Sequence, residues 1–389
     1  MRDVYMDHAS TTPLRPEVVE AMLPYLRETF GNPLSLHRYG EQPRQAIEAA
    51  REKVAALIGA KANEIYFTAS GSEANNMAIK GIAMMARAKD KGKHIVISAI
   101  EHQSVLYAAE TMAKVGFEVT QVPVDRHGLI DPQAVAAALR EDTVLVSVML
   151  ANNEIGTIEP LAEIAAVVKE RGIPLHSDAV AAAGRIPVRV GDLGVDMLSL
   201  AGSQFYGPKG AAALFIRRGL RITPLIDGGI QENGRRAGTE DVPAIVGLGV
   251  ATELAMAEMG ERTSHLLPLR DSLMERLTTE IPHVHLTGHP TQRLPNHVSV
   301  TVEYIEGESM LLLLNMKGIA VSSGSTCTSR ALKASHVLTA IGVEAALAQG
   351  SLVFTMGQGN AMEDVDYILD VFPPVIERLR QMSPLYPAQ

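Results

Sequence analysis

Cysteine and tryptophan are the scarcest residues of this sequence. Cys327 is the single cysteine among 389 residues, and tryptophan is absent. One thiol cannot form a disulfide within the chain, which excludes a disulfide-stabilised secreted protein and leads us to expect a cytoplasmic one. Because aromatic residues make up only 4% of the chain, aliphatic side chains and 17 methionines must fill the core.

Long apolar runs and clusters of positive charge are also lacking. No apolar run approaches the roughly 20 residues that span a bilayer, and the N-terminal MRDVYMDHAS lacks the apolar core of a signal peptide. The net charge of -9 argues against nucleic-acid binding, which usually accompanies a basic excess. The histidines form no metal-binding pattern. We therefore expect no membrane, nucleic-acid or metal partner.

Hydrophobic residues make up 47% of the chain and recur in alternating strand-like and helical segments. Helical stretches such as 73–89 and 160–172 separate most of the strand-like runs. Strands separated by helices predict βαβ units and a mostly parallel sheet that is buried on both faces. The seven strand-like runs are 64–70, 94–100, 117–124, 143–150, 174–180, 196–202 and 211–216.

A second unit follows the seven strand-like runs. A helical stretch rich in Ala, Leu and Met begins near residue 242 and extends towards 280. It is followed by a strand-like run over 296–302, a helix over 308–318 and a final helix from 362 to 382. This order of elements predicts a smaller α+β unit.

Polar segments that follow strands are the first candidates for a site, because ligands of open α/β sheets bind at the carboxyl ends of the strands. Ser70, Gly71 and Ser72 follow the first strand-like run and open a helix. Free backbone N–H groups at such a turn favour an anion such as phosphate. The alternative is a plain helix start, with Ser72 as its N-cap and no ligand.

Three further residues carry candidate chemistry, and each has a structural alternative. Asp178, at a strand end, could keep a pyridine nitrogen protonated, or could cap a helix. His102 could stack on a planar cofactor or shuttle protons, or could be structural. Cys327 lies among small polar residues in VSSGSTCTSR (321–330). It could be a nucleophile if its pKa is lowered, or a small buried hydrophobic residue.

Ordered sequence blocks over essentially the whole chain resemble the cysteine desulfurases. These are class V, fold-type-I enzymes that depend on pyridoxal phosphate (PLP) and supply sulfur for iron–sulfur clusters. The resemblance implies an α/β fold with a large PLP-type domain over 14–260 and a small α+β domain formed by 1–13 and 261–389. The blocks that carry it are YMDHASTTPLRPEV (5–18), FGNPLSLHRYG (30–40), FTASGSEANN (67–76), EHQSV (101–105), ANNEIGTIEP (151–160), YGPKG (206–210), GGIQENGRRAGTED (228–241), LPNHVSVTV (294–302), SSGSTCTS (322–329) and MSPLY (382–386).

The resemblance also implies roles for individual residues toward the cofactor. Asp178 would pair with the pyridine nitrogen, and His102 would stack on the ring. Asn153 would lie near the ring hydroxyl. Ser72 would hold the phosphate, and Thr239 would reach it from the other subunit, which implies a homodimer with shared active sites.

Cys327 is the residue that the resemblance assigns to sulfur itself. It would attack the sulfur of the cysteine–PLP adduct, carry it as a persulfide and pass it on. The loop that carries Cys327 would swing to a partner, such as an iron–sulfur scaffold or another sulfur acceptor protein. L-Cysteine is the implied substrate.

The sequence departs from the family at the residues that handle cofactor and substrate. Gln204 stands where the family has the Schiff-base lysine, and an amide can neither form an imine nor act as the base that moves the substrate proton. Val353 replaces an arginine that clamps the substrate carboxylate, so a bidentate, charge-assisted contact is lost. The other replaced positions are Ala181, Ala201, Ser203 and Gln358.

Three hypotheses follow from these departures. The first is a sulfur-transfer protein that accepts sulfur at Cys327 from sulfide or another donor, without normal PLP catalysis. The second is a working desulfurase that binds PLP non-covalently. The third is a PLP or pyridoxamine-phosphate enzyme with a different reaction. Lys209 could reach the cofactor in place of the missing lysine, and Arg330, near Cys327, could replace the missing carboxylate clamp.

Overall fold

The computed structural model describes residues 2–324 and 334–387. Its centre is a seven-stranded sheet with the strand order β2-β8-β7-β6-β5-β3-β4. The strands of the chain are β1 (Val4–Tyr5), β2 (Ile65–Thr68), β3 (His94–Ser98), β4 (Glu118–Val122), β5 (Thr143–Ser147), β6 (Leu175–Asp178), β7 (Met197–Ala201), β8 (Ala212–Ile216), β9 (Val284–Leu286), β10 (His297–Val302), β11 (Ile319–Ala320) and β12 (Ser351–Thr355).

Helices cover both faces of this sheet and continue beyond it. They are α1 (Pro16–Arg27), α2 (Arg38–Ile58), α3 (Gly71–Ala88), α4 (Gln103–Lys114), α5 (Pro132–Ala138), α6 (Leu161–Glu170), α7 (Val190–Leu193), α8 (Gln231–Gly234), α9 (Val242–Glu280), α10 (Gly307–Asn315), α11 (His336–Ala340), α12 (Ala345–Ala348) and α13 (Met362–Met382). Short 3₁₀ turns span Ala62–Glu64 and Gly202–Gln204.

All seven predicted strands are present in the large sheet, and the mostly parallel arrangement is confirmed. Only β8 runs against its neighbours, pairing antiparallel with both β2 and β7. Every residue of β3, β5 and β7 is buried, as expected for strands with helices on both faces. The parallel strands end at the same edge, so the polar segments that follow them come together there.

The predicted α+β unit contains more strands than the sequence pattern indicated. The strand-like run over 296–302 forms β10, which pairs antiparallel with β9 and β12. β9 and β12 were not predicted. β9 is three residues long, too short for a strand pattern to be recognised, and β12 is a five-residue strand in which every residue is buried.

Hydrophobic side chains form separate clusters in the two parts of the chain. One cluster contains residues of α2, α6 and the first half of α9. Another contains the second half of α9, from Leu266 onward, with β10, β12 and α13. Two domains that meet between residues 260 and 261 would give this distribution of clusters. The domain boundary remains a proposal, because α9 continues through it without a break.

Helix α9 is 39 residues long and packs against α1, α2 and α13. Within the described residues it alone has the length and composition of a membrane-spanning helix, and half of its most apolar window is buried inside the protein. Its position between two hydrophobic clusters accounts for that apolar composition.

Two structural alternatives from the sequence are wrong. Ser70, not Ser72, is the N-cap of α3, because its side chain accepts the backbone N–H of Glu73. Asp178 does not cap a helix. Its Oδ1 accepts the backbone N–H of Val180 at 2.9 Å in a turn that directly follows β6.

Candidate functional site

A cavity of about 380 Å³ lies at the carboxyl ends of the central strands. Its lining comes from segments that follow β2, β3, β5, β6 and β7. One residue of each segment is a site residue singled out from the sequence, namely Ser72, His102, Asn153, Asp178 and Gln204. The sheet therefore brings these five positions, which are spread over more than a hundred residues, to a single place.

Asp178 is the charged end of a chain of hydrogen bonds that crosses the cavity wall. The Asn75 side-chain amide donates one proton to Asp178 Oδ2 at 2.6 Å and the other to Ser104 Oγ at 2.8 Å. Ser104 Oγ in turn lies 2.7 Å from His102 Nδ1. Because Ser104 accepts from Asn75, its own proton is directed at His102.

These contacts fix the protonation pattern of the His102 ring. Nδ1 faces both the Ser104 hydroxyl and the Ser104 backbone N–H, at 2.7 and 3.2 Å. Both groups are donors, so Nδ1 is an acceptor and the neutral ring carries its proton on Nε2. His102 is also the N-cap of α4. His102 therefore has a structural role as a helix cap, and it also lines the cavity.

The start of α3 faces the same cavity. Gly71 is required there, because a Cβ built on it would lie 2.6 Å from Val180 Cγ2. This close approach places the backbone N–H groups of the first helical turn against the segment that follows β6. The Ser72 hydroxyl lines the cavity and has no hydrogen-bond partner in residues 2–324 or 334–387.

Gln204 is held by a dense set of hydrogen bonds. Its Nε2 donates to the carbonyls of Ala9 and Ser10 at 3.0 and 3.3 Å, and its Oε1 accepts from Arg185 Nη2 at 3.1 Å. Arg185 also donates to the carbonyls of His8 and Ala181. The Gln204 amide therefore connects the N-terminal segment to the large sheet. Burial of the Arg185 guanidinium lowers its pKa to about 10.

Five of the six positions that the sequence resemblance marks as replaced lie in this cavity. Ala181, Ala201, Ser203, Gln204 and Val353 all line it. Among the described lining residues there is no lysine and no arginine. Gln358 lies elsewhere, where it accepts from Arg15 and donates to Glu258.

The remaining candidates lie outside the cavity or outside the described residues. Lys209 is exposed and does not line the cavity. Thr239 is exposed in the loop before α9 and does not reach the cavity of its own chain. Cys327 and Arg330 fall between the two described ranges.

Two buried acids, Glu101 next to His102 and Glu154 in the cavity lining, have raised pKa values. Burial, and then the nearby charge of Asp178, raise the pKa of Glu101 well above its usual value. Glu101 Oε1 accepts the backbone N–H of Met149 at 2.7 Å, and this hydrogen bond opposes the increase. Burial also raises the pKa of Glu154 to about 7, against the opposing hydrogen bond from Ser335.

Several of these residues were not singled out from the sequence. Asn75, Glu101 and Glu154 belong to the quoted blocks FTASGSEANN, EHQSV and ANNEIGTIEP, and each lies shortly after a strand. Their position after strands was therefore the available signal. Arg185 had no such signal, because its partners come from distant parts of the chain.

A mostly parallel sheet, with an acid and a helix N-terminus facing one cavity at its carboxyl edge, is the architecture of the fold-type-I transferases. The aminotransferase class-V family model matches residues 4–368. A cysteine desulfurase IscS from Methanosarcina thermophila is 55% identical over 386 residues, which cover 99% of this chain and 95% of the relative.

Solved structures give the same assignment. A structure described as a NifS-like protein matches with a TM-score of 0.91 and 36% identity, over 97% of this chain and 100% of that chain. A structure described as SspA in complex with cysteine matches with a TM-score of 0.80 and 34% identity, over 92% and 100%. The chain therefore belongs to the aminotransferase class-V family and, within it, to the cysteine desulfurases.

Proposed function

We propose that this cysteine desulfurase-like protein carries sulfur on Cys327 for iron–sulfur cluster assembly and does not liberate sulfur through a covalently attached cofactor. The observation that supports this most directly is the convergence of five of the six replaced positions on one cavity. Isolated substitutions would be scattered over the fold. Here the replaced residues share the site, while Asp178, His102 and Ser72 are retained in the same lining.

The proposed transfer needs no change of oxidation state overall. The Cys327 thiolate attacks the outer sulfur of a donor persulfide, and the S–S bond of the donor breaks to release the donor thiolate. Cys327 then holds a persulfide. An acceptor thiolate attacks its outer sulfur in the same way and regenerates the Cys327 thiolate. Free sulfide would require an added oxidant, so a persulfide donor is the chemistry we propose.

The cavity fits PLP as a non-covalently held group. When bound, PLP supplies an electron sink for carbanion chemistry. The Asp178 carboxylate is placed to pair with a protonated ring nitrogen, and the first turn of α3 with the Ser72 hydroxyl offers donors for a phosphate. No amine among the described lining residues is available to attach the aldehyde.

A working desulfurase with non-covalent PLP is the second candidate function. It is favoured by the Asp178–Asn75–Ser104–His102 chain, whose hydrogen bonds are intact. It is disfavoured by the absence of a base at position 204, because the Gln204 amide is too weakly basic to take up the substrate proton. A PLP or pyridoxamine-phosphate enzyme of another reaction type would keep the same retained residues.

Absorbance and sulfide release distinguish these functions. We expect purified protein with added PLP to show no absorbance band of a covalently attached cofactor and to release no sulfide from L-cysteine in the presence of a reductant. With a low-molecular-weight persulfide donor, the chain should gain the mass of one sulfur atom. Cys327→Ser is the matched control and should gain none. Rapid sulfide release from L-cysteine would contradict the proposal.

The proposed homodimer rests on exposed apolar side chains, one of which precedes the Thr239 loop. Ile230, in the segment that leads to this loop, is 76% exposed, and Phe30 and Leu36 are 80% and 96% exposed. Arg236 forms an ion pair with Glu73 in the first turn of α3, which keeps the loop near the cavity rim. A second copy would cover the apolar side chains and bring Thr239 to a neighbouring cavity.

Sedimentation tests this arrangement. Ile230→Glu should shift the protein from dimer to monomer, because burying a carboxylate in an apolar interface is costly. Leu312→Glu, at an exposed position of α10, is the control and should remain dimeric. A monomeric wild type would contradict the dimer.

We propose the cytoplasm as the place of action, where thiols remain reduced.

A further inference from the structure

The first turn of α3 carries a carboxylate beside the place that the proposed function gives to a phosphate. The backbone N–H groups of Gly71 and Ser72 make no hydrogen bond within residues 2–324 and 334–387, so they are free to bind an anion. Glu73 follows them in the same turn, and its Oε2 accepts the backbone N–H of Ala69 at 2.8 Å. An unpaired carboxylate in this turn would repel a phosphate.

Arg236 compensates the charge of this carboxylate. Its Nε donates to Glu73 Oε1 at 2.8 Å, and its Nη2 donates to Glu73 Oε2 at 3.4 Å. The two side chains are only 20% and 14% exposed, so water screens this pair less than it screens an ion pair on the open surface. The Glu73 charge is therefore balanced within the protein.

The segment that carries Arg236 is anchored four residues earlier. Glu232 is buried and forms a bidentate ion pair with Arg51 of α2, with N–O distances of 2.7 and 2.8 Å. Its Oε2 also accepts the backbone N–H of Phe67 in β2 at 2.8 Å. These contacts hold Glu232 at a φ of 48°, a left-handed conformation that is costly for any residue but glycine. Arg236 therefore belongs to a segment that is fixed independently of Glu73.

We infer that Arg236 is a positioning residue for phosphate binding, because it neutralises Glu73 and keeps that carboxylate from competing for the N–H groups of Gly71 and Ser72. This role presupposes the proposed non-covalent binding of PLP, whose phosphate would occupy the turn. The described residues of the cavity lining include no lysine and no arginine, so the charge that balances Glu73 comes from outside the lining. Without Arg236, the Glu73 carboxylate would repel the phosphate.

Calorimetric titration of the purified protein with PLP, and separately with inorganic phosphate, tests this role. Arg236→Gln should lower the affinity for both probes about fivefold or more, because Glu73 loses its counter-charge. Glu73→Gln keeps an acceptor for the Ala69 N–H and should bind both probes at least as tightly as the wild type. The double variant Arg236→Gln/Glu73→Gln should bind within about twofold of the wild type, because the unpaired charge is then absent.

The double variant distinguishes charge compensation from a purely structural role. If Arg236 only held its own segment in place, removal of the Glu73 charge would not restore binding. A double variant that binds as weakly as Arg236→Gln would therefore overturn the inference. Arg276→Gln is the matched control, since it changes the net charge equally at a residue of α9 that pairs with Glu280 and Asp366 at 2.9 and 2.7 Å. It should bind both probes like the wild type.

The titrations also separate this inference from the proposed function. Equal affinities of the wild type and Arg236→Gln would overturn the role of Arg236 and leave the binding of PLP in place. A wild type that binds neither probe would overturn both the binding of PLP and the role of Arg236. The persulfide measurement on Cys327 needs no PLP, so its outcome is independent of these titrations.

Discussion

The cavity has two regions that differ in how far they keep the family's chemistry. The first contains Ser72, His102 and Asp178, with Asn75 and Ser104 behind them, and its hydrogen-bond chain is complete. The second contains the replaced positions Ala181, Ala201, Ser203, Gln204 and Val353. The first region suits a pyridine ring with a phosphate, and the second has no group to attach the ring or clamp a carboxylate.

Under the proposed function, the capacity to bind the cofactor and the capacity to react are separate properties of this cavity. Gln204 is not simply a missing lysine, since its amide makes three hydrogen bonds within the protein. The second region is therefore built as a stable piece of structure, and the first retains its capacity for a ligand. The predictions below test each region against the other.

Restoring the second region should give the largest effect. Gln204→Lys combined with Ser203→His and Val353→Arg should create an absorbance band of covalently attached PLP, because an amine would then lie opposite the intact first region. Reduction with borohydride followed by mass spectrometry would locate the adduct on residue 204. A folded but colourless triple variant would indicate that the first region no longer binds the cofactor.

Asp178 tests the first region alone. Asp178→Asn removes the charge and leaves one acceptor oxygen for the two donors Asn75 and Val180, so one of these hydrogen bonds is lost. We expect the affinity for non-covalent PLP, measured by calorimetry, to fall about tenfold or more, which corresponds to roughly 1.4 kcal/mol or more. An unchanged affinity would contradict the proposed contact between Asp178 and the cofactor.

Gln204→Ala examines the structural role of the second region. The variant leaves the carbonyls of Ala9 and Ser10 and the guanidinium of Arg185 without this partner. We expect a loss of about 1–3 kcal/mol in the free energy of unfolding, measured in guanidinium chloride. Ser203→Ala, whose backbone carbonyl accepts from Thr12, keeps that contact and is the control.

Glu101 should give the smallest effect, visible as a slope with pH. Its pKa is raised in the folded protein, so the folded state binds more protons than the unfolded one above about pH 4.5. This acid therefore makes the free energy of unfolding decrease as the pH rises through that range. Glu101→Gln should leave stability near pH 4 almost unchanged and flatten the decrease. If the free energy of unfolding of the variant decreased as steeply with pH, the decrease would come from groups other than Glu101.

Much of the fold could be predicted from sequence because its signals are local. The seven central strands are short apolar runs bounded by polar turns, and the helices between them repeat every three to four residues. β9, with three residues, is too short to give this signal. The sequence indicated Ser72 as the N-cap of α3, whereas Ser70 is the N-cap in the structure. Both residues are serines, which are preferred at this position, so the sequence alone does not distinguish them.

The site could be predicted in part for the same reason. Asp178 ends a strand and His102 and Gln204 lie shortly after one, and parallel strands bring such positions together. The Arg185 contacts to His8 and Gln204 could not be predicted, because they join residues that are far apart in sequence. The raised pKa values of Glu101 and Glu154 depend on burial, which the sequence alone does not show.

Helix α9 has a consequence for how the molecule unfolds. At 1.5 Å per residue its 39 residues extend about 58 Å, and each half supplies side chains to a different hydrophobic cluster. Neither cluster can lose its half of the helix without exposing the end of the other. We therefore expect heat to melt the chain in a single cooperative transition, with no stable half-folded species.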